Sequence, residues 1–148
     1  NEVQVMSAGT GIQHSEYNAS ETEAVKFLQI WLFPNKQNVT PRYDQIQIDP
    51  AGRHNKFQQI ISPSAEDEGT WIHQDAWFHL ADLEAGQELS YTLKQEGNGV
   101  YVFVLDGDAV VAGEVLNTRD AVGVTDTNEI QFKADSLTKF LVIEVPMY

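Results

Sequence analysis

The stretch Val100–Ala112 reads V-Y-V-F-V-L-D-G-D-A-V-V-A. Two apolar runs rich in β-branched residues flank an Asp-Gly pair, which supplies the positive-φ positions that a tight turn requires. The segment therefore predicts a β-hairpin, Val100–Leu105 against Ala109–Ala112. Outward from it the pattern repeats. Gly113-Glu114 turns the chain into Val115-Leu116, Asn117–Asp120 turns it again before Ala121–Val124, and two more strands are expected around Glu129–Phe132 and Thr138–Val145. Short strands at a spacing of roughly 8–12 residues, with turn chemistry between them, point to an antiparallel barrel or sandwich. Upstream, Ala76–Ala81 (A-W-F-H-L-A) sets Trp77 and His79 on one face of a strand and Phe78 and Leu80 on the other. Val25–Phe33 (V-K-F-L-Q-I-W-L-F) is almost continuously apolar and too short and uniform for an amphipathic helix, so it reads as a strand buried on both faces. No window sustains helical periodicity. Ser64–Glu68 (S-A-E-D-E) fits either one helical turn capped by Ser64 or an exposed acidic loop. The fold class is all-β.

Pro34–Pro41 is polar and bracketed by prolines, which marks a connector. Arg42–Asp49 is then moderately apolar and extended, and Pro50-Ala51-Gly52 makes a turn. The expected organisation is residues 1–34 as the end of one unit, 35–50 as a crossing segment, and 51–148 as a second unit. A unit of 34 residues is too small to bury a core of its own. It is expected to be completed by sequence upstream of Asn1 or by another chain, and the strand Val25–Phe33, lacking its partners, is expected to drive self-association.

With 22 acidic residues against 9 basic ones, the formal net charge is −13. Such a surface repels phosphate backbones and disfavours direct nucleic-acid binding. The absence of cysteine excludes disulfides and thiolate chemistry. No apolar run reaches the roughly 20 residues of a membrane-spanning helix, and Asn1-Glu2-Val3-Gln4 does not begin a signal peptide, so the expected location is cytoplasmic.

Candidate chemistry sits near the start. Gly9 and Gly11 make a tight turn, followed by His14 and Glu16. In an extended chain these two point to the same face, about 7 Å apart at Cα. Imidazole and carboxylate on one face suit half of a site for Fe, Mn, Ni, Cu or Zn. The spacing alone fits a surface histidine beside a surface glutamate still better, because transition-metal sites ordinarily supply three or four ligands. His73 and Asp75 are also two apart, but lack a third ligand at matching spacing. Both His73 and His79 read as histidines packed beside aromatics. Trp31, Trp71 and Trp77 likewise read as core or barrel-wall residues rather than a stacking platform.

The stretch V-Q-V-M-S-A-G-T-G-I-Q-H-S-E-Y-N (Val3–Asn18) resembles the pirin family, as do L-Q-I-W-L-F-P (Leu28–Pro34), T-P-R-Y (Thr40–Tyr43) and I-H-Q-D-A-W-F-H-L-A-D-L-E-A-G (Ile72–Gly86). Pirins are bicupins, two β-barrels in tandem with a metal in the N-terminal one. The resemblance implies cupin-type antiparallel barrels of the RmlC-like jelly-roll kind: one complete C-terminal barrel, plus remnant strands of an N-terminal metal-binding barrel. The family's metal site has three histidines and one glutamate, and His14 and Glu16 match its last histidine and its glutamate. The earlier His-x-His pair would lie upstream of Asn1. In the second unit no histidine follows His79, and Ser90–Lys94 (S-Y-T-L-K) lacks the His-x-His that a metal-binding cupin carries there, so that barrel is expected to be metal-free.

For the intact protein the resemblance implies a divalent transition metal, iron first. It also implies quercetin 2,3-dioxygenase-type chemistry on a small aromatic, flavonol-like substrate, with His14 as ligand and Glu16 as ligand or catalytic base. The alternative is a non-enzymatic, metal-containing regulatory module that meets protein partners. The 148-residue chain alone is expected to be inactive.

Overall fold

The computed structural model describes residues 1–147. Strands come in chain order as β1 (Glu2–Ser7), β2 (Arg42–Gln47), β3 (Gln58–Ser62), β4 (Thr70–Trp71), β5 (Trp77–Leu83), β6 (Glu88–Thr92), β7 (Asn98–Asp106), β8 (Ala109–Val111), β9 (Glu114–Leu116), β10 (Ala121–Val124), β11 (Glu129–Ala134) and β12 (Thr138–Pro146). One 3₁₀ turn, Pro50–Arg53, interrupts them; Asp49 caps it by accepting from the Ala51 amide at 3.0 Å. The strands form a six-stranded sheet ordered β10-β7-β12-β5-β3-β4, a four-stranded sheet ordered β6-β11-β8-β9, and the two-stranded ribbon β1-β2.

The side-chain period of two explains how these layers stack. On β12, Phe140, Val142 and Glu144 share one face, and Leu141 and Ile143 the other. The first face joins Ala81 and Leu83 of β5 and Val100, Val102 and Val104 of β7 against Ile130, Phe132, Ala109 and Val111 from the four-stranded sheet. This is the inside of the barrel. Phe132 lies edge-on to Phe140 at 5.3 Å and to Phe57 at 5.1 Å. Leu141 and Ile143 belong to a second cluster on the outer face, with Ile60, Ile61 and Phe78, covered by Val5 of β1 and Ile48 beyond β2. Because both faces of β12 are covered, Phe140–Ile143 reads as an unbroken apolar run.

Two expectations fail. The Asp106-Gly107-Asp108 turn does not close a hairpin. β7 pairs with β10 and β12, whereas β8 pairs with β11 and β9. The turn is a corner where the chain leaves one sheet for the other. Gly107 sits at φ +94 with its backbone so close to Leu137 and Thr138 that a Cβ would fall 2.5 Å from the Leu137 carbonyl oxygen. Side chains hold the corner: the Gly107 amide donates to Thr118 Oγ1 at 2.9 Å, and the Asp108 amide to Ser136 Oγ at 2.9 Å. Asp-Gly satisfied the backbone demand of a turn without specifying which strands it joins. The true two-residue hairpin is β8-β9, through Ala112 (φ 52) and Gly113 (φ 87).

The second failure is Val25–Phe33, which forms no strand and is not buried. Trp31 is 90% and Phe33 89% exposed. Only its end is tied down: Leu32 is half-buried against the outer cluster, Gln74 Nε2 donates to the Phe33 carbonyl at 2.8 Å and the Asn35 amide donates to the His73 carbonyl at 2.7 Å. Strand propensity is realised only where a neighbouring strand offers a ladder, and no strand of the described residues does so here. Trp31 is therefore not a core residue. Ser64–Glu68 forms turns and bends rather than a helix.

Candidate functional site

His14 and Glu16 lie in the irregular segment between β1 and β2, both exposed, and not on a strand. Gly9, at φ +53, packs against the backbone at Val39, and the Thr10 amide donates to the Val39 carbonyl at 3.1 Å. This tie anchors the start of the segment but does not extend it. His73 packs edge-on against Trp71 at 4.8 Å, and no ion pair joins it to Asp75 among the described residues. Arg42 lies 4.2 Å over the Trp71 ring.

The most organised polar group is inside the barrel. Glu144 is fully buried on the inner face of β12. Its Oε2 accepts from the Tyr91 hydroxyl and the Lys94 amide, each at 2.8 Å. Its Oε1 accepts from the Gln95 amide at 2.9 Å and from Asn98 Nδ2 at 2.8 Å. Four donors on one carboxylate offset the desolvation of a buried charge. The Tyr91 hydroxyl also lies 3.4 Å from His79 Nδ1. His79 and Trp77 share a face of β5, and β12 places Val142 opposite His79 and Glu144 opposite Trp77.

Burial, helped by the nearby Lys94 charge, pushes His79 down to about 4, so it is neutral at pH 7. Burial and the Glu144 carboxylate push the Tyr91 hydroxyl well above the usual phenol range, so it stays protonated. His79 and Tyr91 line an open cleft of about 610 Å³ at this end of the barrel, together with Phe57, Trp77 and Lys94.

Residues 59–145 match the family described as quercetinase C-terminal cupin domain, and residues 1–32 match the family described as Pirin. The chain belongs to the pirin family. This pirin chain is 34% identical over 145 residues to quercetin 2,3-dioxygenase of Escherichia coli K12, covering 98% of this chain and 61% of that protein. It is 35% identical over 134 residues to a pirin-like protein of Caulobacter vibrioides, covering 90% and 57% respectively. The crystal structure of the E. coli bacterial pirin YhhW in complex with nickel(II) superposes with a TM-score of 0.89 at 33% identity, over 99% of this chain and 62% of that one. The pirin chain thus spans about 61% of the length of the E. coli relative. Its barrel is a cupin jelly roll, as the resemblance implied.

The donor types of His14 and Glu16 suit a transition metal, but their number does not. Among the described residues of this pirin, no group of three or more His, Cys, Asp or Glu side chains is gathered to hold a metal ion. The barrel of residues 58–146 brings no second histidine to His79. No helix of the described residues is long and apolar enough to cross a membrane.

The sequence reading put His79 beside aromatics, and the structure places it so. The Glu144 cluster escaped that reading. Its signal is the one acid of the strand T-K-F-L-V-I-E-V-P, at an inward position within the otherwise apolar run Phe140–Val145, where a charge is tolerated only if it is fully paired.

Proposed function

We propose that this pirin chain is part of a metal-dependent cupin oxygenase of the quercetin 2,3-dioxygenase kind, acting on a small flavonol-like aromatic. In this reading His14 and Glu16 are two of the metal ligands, and Glu16 is also the base that takes the substrate's hydroxyl proton. The carrying observation is the 34% identity to E. coli quercetin 2,3-dioxygenase, which extends over both the His14–Glu16 segment and the barrel. A divalent transition metal is supported by the nickel(II) in the related bacterial pirin structure; the further ligands come from outside these 148 residues. When bound, the metal supplies orientation and activation of the substrate oxygen. The proposed units are residues 1–34, belonging with the metal-binding barrel, 35–50 as connector, and 51–148 as the metal-free barrel. A cytoplasmic location is part of the same proposal.

The test is a chimera joining this chain to the portion of the E. coli relative that it does not span. Quercetin loss under O₂ is expected from the chimera and not from the chain alone, with Glu16→Ala lowering the rate about 100-fold or more. Equal rates for the chimera and its Glu16→Ala variant would remove Glu16 from the chemistry. Elemental analysis after dialysis should find less than one metal per chain for the 148 residues and close to one for the chimera.

We also propose that the chain self-associates through Val25–Phe33. The support is the run of exposed apolar side chains there, Phe27 68%, Trp31 90% and Phe33 89%. A clean monomer in sedimentation at high concentration would overturn it.

A further inference from the structure

The donors around Glu144 fix more than its own charge. The carboxylate only accepts, so the single Tyr91 hydroxyl proton is committed to it at 2.8 Å. The Tyr91 oxygen then has only lone pairs to offer His79, and the 3.4 Å contact requires the imidazole to donate from Nδ1. A neutral ring that carries its proton on Nδ1 has a bare lone pair on Nε2. That atom has no protein partner among the described residues. It is not sealed in either, because the one fully enclosed, partnerless side-chain polar atom among them is Gln58 Oε1. His79 lines the cleft at the barrel mouth, so an Nε2 that is not sealed in is the ring atom left for a ligand there to meet.

The surroundings of that lone pair select its partner. Phe57 and Trp77 give the cleft aromatic walls, and its volume of about 610 Å³ admits a single ring with room to spare. Lys94 lies close enough to depress the imidazole, so a second cation beside Nε2 is disfavoured. A carboxylate has no proton to give and would set lone pair against lone pair. Asp67 and Glu68 at the rim repel it further. Gln59 Nε2 holds this rim by donating to the Glu68 carbonyl at 3.0 Å. A neutral hydroxyl on an aromatic ring meets every condition: its O–H donates to Nε2, its ring packs on Trp77 and Phe57, and the Lys94 charge strengthens the donor.

We propose that the mouth of the C-terminal barrel is a second, metal-independent small-molecule site, which takes a neutral phenol-class ring whose hydroxyl donates to His79 Nε2. This proposal does not rest on the oxygenase reading, since it uses neither His14 nor Glu16.

The test is NMR on the 148-residue chain. Nitrogen-15 spectra of the free protein should show His79 protonated at Nδ1 and bare at Nε2. Phenol should shift the His79 ring nitrogens and the Trp77 indole saturably, with Kd of about 1 mM, as expected for a small ligand in an open cleft. Benzoate and benzylamine should bind about tenfold more weakly or not at all, the loss of one well-placed hydrogen bond. Trp77→Leu, on the half-buried wall, should weaken phenol about threefold while leaving the His79 tautomer intact. Tyr91→Phe should release the tautomer and weaken phenol binding. An Nε2–H tautomer in the unsubstituted protein would overturn the proposal, whatever the variants do to folding. Phenol shifts that never saturate would overturn it too, as would benzoate or benzylamine binding as tightly as phenol.

Discussion

Residues 8–41 and residues 58–146 follow opposite rules within one chain. Both are rich in apolar and aromatic residues. In the barrel these fall on faces that other strands cover, and Val102, Val104 and Val142 reach zero exposure. Between β1 and β2 an equally apolar stretch lies open, with Phe27, Trp31 and Phe33 in solvent. The difference is not hydrophobicity but the supply of backbone partners. An apolar run is buried only where neighbouring strands take up its amides and carbonyls. The polar residues divide the same way. Glu144 has four donors, whereas His14 and Glu16 have no side-chain hydrogen-bond partner among the described residues.

That contrast can be tested by substitution. Glu144→Leu should cost the most, about 4 kcal/mol by urea unfolding, because it strands the buried Tyr91 hydroxyl and Asn98 amide and removes the acceptor of the Lys94 and Gln95 backbone amides at once. If it costs less than about 1 kcal/mol, the cluster is not the organising feature of the barrel. Phe140→Ala, which removes a fully buried ring, should cost about 3–4 kcal/mol. A smaller but more diagnostic effect concerns acid. His79 stays neutral in the fold down to about 4, against an ordinary 6.5 in the unfolded chain. The unfolded state therefore binds the extra proton first. The stability this residue contributes is present in full above pH 6.5 and is lost as pH falls from there through 4. It amounts to about 3 kcal/mol, read as the difference in acid sensitivity between the protein and its His79→Phe variant. At the other extreme, His14→Ala, Glu16→Ala and Trp31→Ser should each move stability by less than about 0.5 kcal/mol. Larger losses would mean that residues 8–41 are packed after all. Trp31→Ser combined with Phe33→Ser should also reduce any self-association seen by sedimentation.

The same contrast explains what the sequence disclosed. Apolar runs with turn chemistry around them are legible: Thr138–Val145 and Ala121–Val124 match β12 and β10 to within a residue, and alternation alone sets Trp77 and His79 on one face of β5, without saying that this face points inward. Partnership was not. Asp106-Gly107-Asp108 has hairpin chemistry and serves instead as a corner between sheets, because a turn's residues encode its backbone angles and not the destination of the next strand. Val25–Phe33 has strand composition without a ladder. His14 and Glu16 were singled out through resemblance, since nothing in their local geometry marks them. The Glu144 cluster draws Tyr91, Lys94, Gln95 and Asn98 from about fifty residues earlier, and no local pattern encodes a contact of that range.

β12 follows all the other strands of the described residues in chain order, yet it lies between β7 and β5 in the middle of the six-stranded sheet. During synthesis, both of those neighbours leave the ribosome with the edges that will face β12 still bare, and the slot between them is filled only when Thr138–Pro146 follows. Such late closure is slow and exposes sticky edges on the way. The nascent chain is therefore an expected client of chaperones until Thr138–Pro146 arrives.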